Sequence, residues 1–94
     1  MSNTLHKDFA CLISILESIE KIEGYTKSYE NADDFYADSI SFDATMMNFI
    51  VIGEMADKIS EEFKANTQDK VDWFKIRGFR RLLLIFVFFL AKYF

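Results

Sequence analysis

The sequence predicts an all-α protein, and three observations predict it. Proline is absent and glycine occurs only at Gly24, Gly53 and Gly78, so little interrupts a helix and little supports a tight hairpin. Apolar residues recur at steps of three and four through most of the chain. Hydrophobic residues make up 51% and aromatics 17%, eleven of them Phe, a composition that packs a core and excludes disorder. A chain of 94 residues holds one domain, residues 1–94, expected as an antiparallel bundle of four helices.

The first helix is expected over residues 3–23. Leu5, Phe9, Leu12, Leu16 and Ile19 hold helical spacing, Ile13, Ile15 and Ile22 widen the stripe, and Lys7, Asp8, Glu17, Glu20 and Lys21 take the other face. Gly24 reads as its C-terminal stop, and YTKSYEN as a polar linker. Asn31 with Asp34 three residues on reads as an N-cap with an acidic first turn, introducing a brief second helix in ADDFYADS.

A long third helix follows over residues 41–65, where Phe42, Met46, Phe49, Ile52, Gly53, Ala56, Ile59 and Phe63 keep the period. Glycine in mid-helix costs about 1 kcal/mol relative to alanine, so Gly53 calls for a close helix contact as compensation. NTQDKVD is a connector, and the fourth helix starts near Asp72. From Leu82 to Ala91 the run LLLIFVFFLA is uncharged and apolar on every face. A bilayer crossing needs about 20 such residues, so this run is expected to be buried in the fold or in a partner, and a peripheral membrane anchor is the third reading.

The net charge of −4 excludes a broadly basic nucleic-acid binder, so any RNA contact is local. The local basic concentration is Lys75, Arg77, Arg80 and Arg81, beside Trp73, Phe74 and Phe79. A single cysteine, Cys11, in an apolar helical pattern gives neither a disulfide framework nor a thiolate metal cluster. The start MSNTLHKDF has no apolar run of signal-peptide type, and a cytoplasmic location is expected.

IEKIEGYT (19–26), NADDFYAD (31–38), NFIVIGEMADKISEEFK (48–64) and DWFKIRGFR (72–80), in this order, resemble the HepT-like branch of the HEPN superfamily. The resemblance covers roughly residues 5–81. Its most specific pieces are Ile52, Gly53 and Glu54, and the string Trp73, Ile76, Arg77, Gly78, Phe79, Arg80. It implies a dimeric bundle of about five helices, the toxin of a toxin–antitoxin pair whose partner is a nucleotidyltransferase-type antitoxin. Active members cut RNA without metal or cofactor.

Their motif is Arg, a polar residue, usually Asn, three further residues, His, one residue and Tyr. Carried over, the arginine falls on Arg80, the polar residue on Arg81, the histidine on Ile85 and the tyrosine on Val87. Metal-free cleavage needs a group that moves a proton and a cation that stabilises the phosphate charge. Arg80 answers the second need as the catalytic remnant, whereas Ile85 cannot answer the first. Val87 cannot take the nucleotidyl group that an antitoxin places on the motif tyrosine, and Tyr93 falls elsewhere on the helix.

Two accounts of the departure stand: a shift of reading frame shortly after Arg80, or a degenerate member whose apolar tail packs into a dimer or partner. On either account the chain is expected to be inactive. Without turnover it remains a binding module for the antitoxin or RNA.

The remaining candidates divide simply. Arg77 and Arg81 are candidate RNA contacts, and Glu54 is either an orienting carboxylate for Arg80 or half of a surface pair. Trp73 and Phe79 are expected to seed the core. Met46, Met47 and Met55 are expected in the core or a dimer seam. His6 reads as an exposed residue, and Asp33, Asp34 and Asp38 as a solvated face, because their spacing matches no metal-ligand pattern.

Overall fold

The computed structural model describes the backbone of residues 2–93 and the side chains of residues 3–82 and 84. It is all-helical: α1 (Ser2–Thr26), α2 (Ala32–Ala37), α3 (Ser39–Lys58), α4 (Glu61–Thr67) and α5 (Trp73–Tyr93). Among the described residues five helices form where residues alone suggested four, because the long third helix is broken.

The break lies at Ile59 and Ser60. Ile59 leaves helical geometry at φ −65° and ψ 141°, and Ser60 caps α4 by accepting the amide of Phe63 at 3.2 Å. The cause comes from α1. Buried Asp8 accepts the Ser60 amide at 2.8 Å and its hydroxyl at 2.6 Å, which fixes Ser60 outside a continuous helix. The same contact places the start of α1 at the end of α3, so the two helices run antiparallel.

Gly24 does not stop α1. The helix runs to Thr26 with no glycine at positive φ, and the Thr26 hydroxyl donates back to the Ile22 carbonyl at 2.9 Å. Asn31 caps α2 as its sequence suggests, accepting the Asp34 amide at 2.9 Å. The linker is pinned by Tyr29, whose hydroxyl donates to Asp38 and lies 3.1 Å from the Ser41 hydroxyl. Tyr29, Phe35, Tyr36 and Phe42 pack ring to ring and dock α2 on the head of α3.

The central element is α3, with α1 along one side and α5 along the other. Between α1 and α3 the contact is the most extensive in the fold, and the buried residues on these two helices and the turn after α3 include Cys11, Ala56 and Ile59 with the polar Asp8, Ser18 and Thr45. Among the described residues α1 and α5 share no packed seam, so the apolar stripe read along α1 is exposed at Leu5, Phe9, Leu16 and Ile19, while Asp8, placed by its spacing on the opposite polar face, is buried because it holds Ser60. No described helix is long and apolar enough to cross a membrane.

Candidate functional site

The polar connector is anchored at both ends before α5 begins. Thr67 accepts the Trp73 indole N–H at 3.0 Å and donates its own hydroxyl to the Phe63 carbonyl at 2.8 Å. Trp73 packs edge-on against Phe63, with ring centres 6.3 Å apart. Asp72 then caps α5 by accepting the Lys75 amide at 3.0 Å. These contacts fix the angle at which α5 crosses α3, antiparallel to it.

At the crossing Arg80 lies over Gly53. A Cβ on residue 53 would stand 2.7 Å from Cβ of Arg80 and 2.8 Å from its Cγ, so the close contact expected at Gly53 is the arginine stem itself. Next to it, Arg80 Nη2 donates to Glu54 Oε1 at 2.5 Å, with the two side chains 22% and 41% exposed. The bond to Glu54 raises the Arg80 pKa above its ordinary value, against an opposing desolvation and with help from the charges of Glu54 and Asp57. Arg80 is therefore a fixed cation. Its Nε is buried with no hydrogen-bond partner among the described residues.

One turn back, Arg77 stands 3.7 Å from Asp57, both half-exposed, and Arg81 is exposed on the same side of α5. Phe79 meets Phe49 edge-on at 5.5 Å but keeps about half its surface in solvent. It is a flank of the α3–α5 contact and not the core residue expected, and Trp73, expected in the core beside it, is partly covered. Met47 likewise faces outward, whereas Met46 and Met55 are partly covered.

His6 is exposed near the start of α1, while Gly53, Glu54 and Asp57, the groups around Arg80 and Arg77, all come from α3. Asp34 and Asp38 are used in capping, Asp34 with Asn31 and Asp38 at the head of α3. Among the described residues no group of three His, Cys, Asp or Glu side chains is placed to hold a metal ion. Ile85 and Val87 fall outside the residues whose side chains are described.

Ser60 and Thr67 went unnoticed in the sequence and Asp8 was placed on the polar face of α1, although the three set the α3–α4 break and the entry to α5. Ser60 with Glu61 and Glu62 behind it does carry the signal of an N-cap and an acidic first turn. The α3–α5 crossing of this all-helical protein thus holds one arginine fixed by a carboxylate and a second, looser arginine–carboxylate pair one turn away. A family model described as Ribonuclease HepT-like matches residues 15–84, and the chain belongs to that family. The matched segment contains Gly53, Glu54, Arg77, Arg80 and Arg81. No curated protein and no solved structure matches the chain.

Proposed function

We propose that this chain is the toxin-family member of a prokaryotic toxin–antitoxin pair, descended from metal-independent ribonucleases, which binds RNA and its antitoxin without cutting RNA. The observation that carries the reading is a motif arginine without a proton-transfer partner. Arg80 is held by Glu54 at 2.5 Å, and the position that should move a proton is Ile85. Loss of a positioned acid or base costs about 10²–10⁴-fold in rate.

The partner is a nucleotidyltransferase-type antitoxin, supported by the family resemblance. Because Val87 has no hydroxyl, control of this chain rests on binding and not on modification of that position. The protein works as a homodimer, for which the exposed apolar flank of α1 is the support. Its place of action is the cytoplasm.

An RNA-cleavage assay comparing the chain with a double variant, Ile85→His with Val87→Tyr, tests the reading. The expected result is no cleavage above background by the unmodified chain and measurable cleavage by the variant. Cleavage by the unmodified chain overturns it. Co-purification with the product of the neighbouring gene tests the antitoxin pairing separately.

A further inference from the structure

A cavity of about 600 Å³ opens between α3, α4 and α5, apart from the Arg80–Glu54 pair. Its volume lies in the range of pockets for small organic groups, roughly 300–1,000 Å³. Val71, Trp73 and Ile76 give it an apolar wall. The indole is held in place, since its N–H is taken by Thr67 and its edge by Phe63. Asp57, Glu61, Gln68 and Asp72 add polar groups to the lining, together with the cations Lys64 and Arg77.

At the mouth stands Phe74, 85% exposed. An aromatic ring left this open gives up the burial that normally stabilises it, by about 1.5–3 kcal/mol for a side chain of this size. Arg77 and Arg81 follow it at three and seven residues, so all three lie along one face of α5, with the arginines about 6 Å apart along the helix axis. Gly78 lies between them, and a Cβ there would meet nothing within 4 Å. The stripe is therefore unobstructed. Arg77 has only a loose partner in Asp57 at 3.7 Å, the kind of exposed pair worth about 0–1 kcal/mol that a phosphate displaces.

Charge sorts the ligand's parts. A phosphate inside the cavity would face Asp57, Glu61 and Asp72, with Lys64 already paired to Glu61 at 3.8 Å, whereas on the outer stripe it meets Arg77, which also lines the cavity, and Arg81. The body's net charge of −4 does not prevent this, since charges more than about 8 Å away are largely screened at physiological salt. A flat ring that carries N–H donors suits the cavity: apolar faces for Trp73 and Phe74, donors for the carboxylates. Aromatic platforms beside arginines are how single strands are held.

We infer that this cavity is a nucleobase pocket for single-stranded RNA, with the base entering past Phe74 and its flanking phosphates on Arg77 and Arg81. The carboxylates in the lining favour bases with an exocyclic amino group, adenine, cytosine or guanine, over uracil, whose single N–H lies between two carbonyls. The inference rests on the reading that the chain holds RNA without cutting it, and it names the part of the RNA that is read.

Fluorescence anisotropy with labelled oligo-A, oligo-C and oligo-U tests it on the full chain. The expected result is tighter binding of oligo-A and oligo-C than oligo-U. Phe74→Ala, at an exposed position that leaves the fold intact, should weaken oligo-A about tenfold and erase the preference over oligo-U. Arg77→Gln with Arg81→Gln should weaken all three alike and flatten the salt dependence. Gly78→Glu should do the same by placing a carboxylate in the stripe.

Equal binding of all three oligonucleotides, unchanged by Phe74→Ala, overturns the pocket and leaves RNA binding standing. No binding of any oligonucleotide overturns both, and points the cavity at a protein partner. Degradation of the label seen on a gel of the same samples overturns the non-cleaving reading alone, while the Phe74→Ala comparison still decides the pocket.

Discussion

A methyl group added at Gly53 would sit 2.7 Å from Cβ of Arg80 and 2.8 Å from its Cγ. Both atoms are close to the α5 backbone and cannot swing aside as a side-chain tip can. Alanine gains about 1 kcal/mol over glycine as a helix former, but overpacking a tight contact costs about 1–3 kcal/mol. Gly53→Ala should therefore lower unfolding free energy by about 1–2 kcal/mol in urea titrations, because the strain exceeds the propensity gain. Gly24 gives the contrast, as a Cβ there meets nothing within 4 Å and α1 is helical on both sides. Gly24→Ala should raise stability by about 0.5–1 kcal/mol. A Gly53→Ala chain as stable as the Gly24→Ala chain would mean that α3 and α5 do not cross this closely.

The break between α3 and α4 depends on one carboxylate. Asp8 has its pKa lowered, first by the Ser60 hydroxyl, then by the Ser60 amide, with burial opposing and Lys7 and Lys64 assisting. A carboxylate with a depressed folded pKa stabilises the fold fully above its unfolded value of about 3.9, and that contribution is lost as pH falls through the folded value. Melting temperatures of the chain and of Asp8→Asn should thus differ most at neutral pH and converge below about pH 4. Asp38, lowered by the Tyr29 hydroxyl, titrates in the same direction in both proteins and leaves the comparison intact. A gap that stays constant into acid would remove Asp8 from the account. This link also shows why the helices were legible in the sequence while the break was not. Ile59 and Phe63 continue the apolar spacing of the preceding turns, and the group that pulls Ser60 out of the helix lies 52 residues earlier in the chain. The site divides on the same line. Gly53 announced a close contact through its own cost, and the order of Arg77, Gly78, Phe79 and Arg80 marked α5. The cavity could not be read, because its walls come from three helices whose angles are set by Asp8, Thr67 and Trp73 acting across the turns.

Packing three long helices side by side leaves α1 with a second apolar flank. Its inward face carries Asp8, Cys11, Ile15, Ser18 and Ile22 against α3, while Leu5, Phe9 and Leu16 are 62%, 64% and 52% exposed on the flank beside it. With Ile13 and Ile19 the flank extends over 15 residues, about 20 Å of helix. An exposed apolar strip of this length costs solubility in a monomer, and it is the surface on which the proposed homodimer would form. A second copy related by a two-fold axis would cover it with its own strip, so each of the three side chains counts twice. Full burial stabilises by about 1.5–3 kcal/mol per large apolar side chain, which exceeds what loss of one rotamer-rich side chain's freedom costs. Phe9→Asp with Leu16→Asp should therefore convert a dimer to a monomer in sedimentation equilibrium, raising the dissociation constant by at least about a hundredfold. Both positions are exposed within one chain, so helix content by circular dichroism should not change. The same variant also separates the two roles assigned to the molecule. The Phe74, Arg77 and Arg81 stripe lies on α5, so a monomeric variant should keep the affinity of one chain for a short oligonucleotide. Loss of that affinity together with the dimer would mean that the proposed RNA site is completed by the second copy and not by α5 alone.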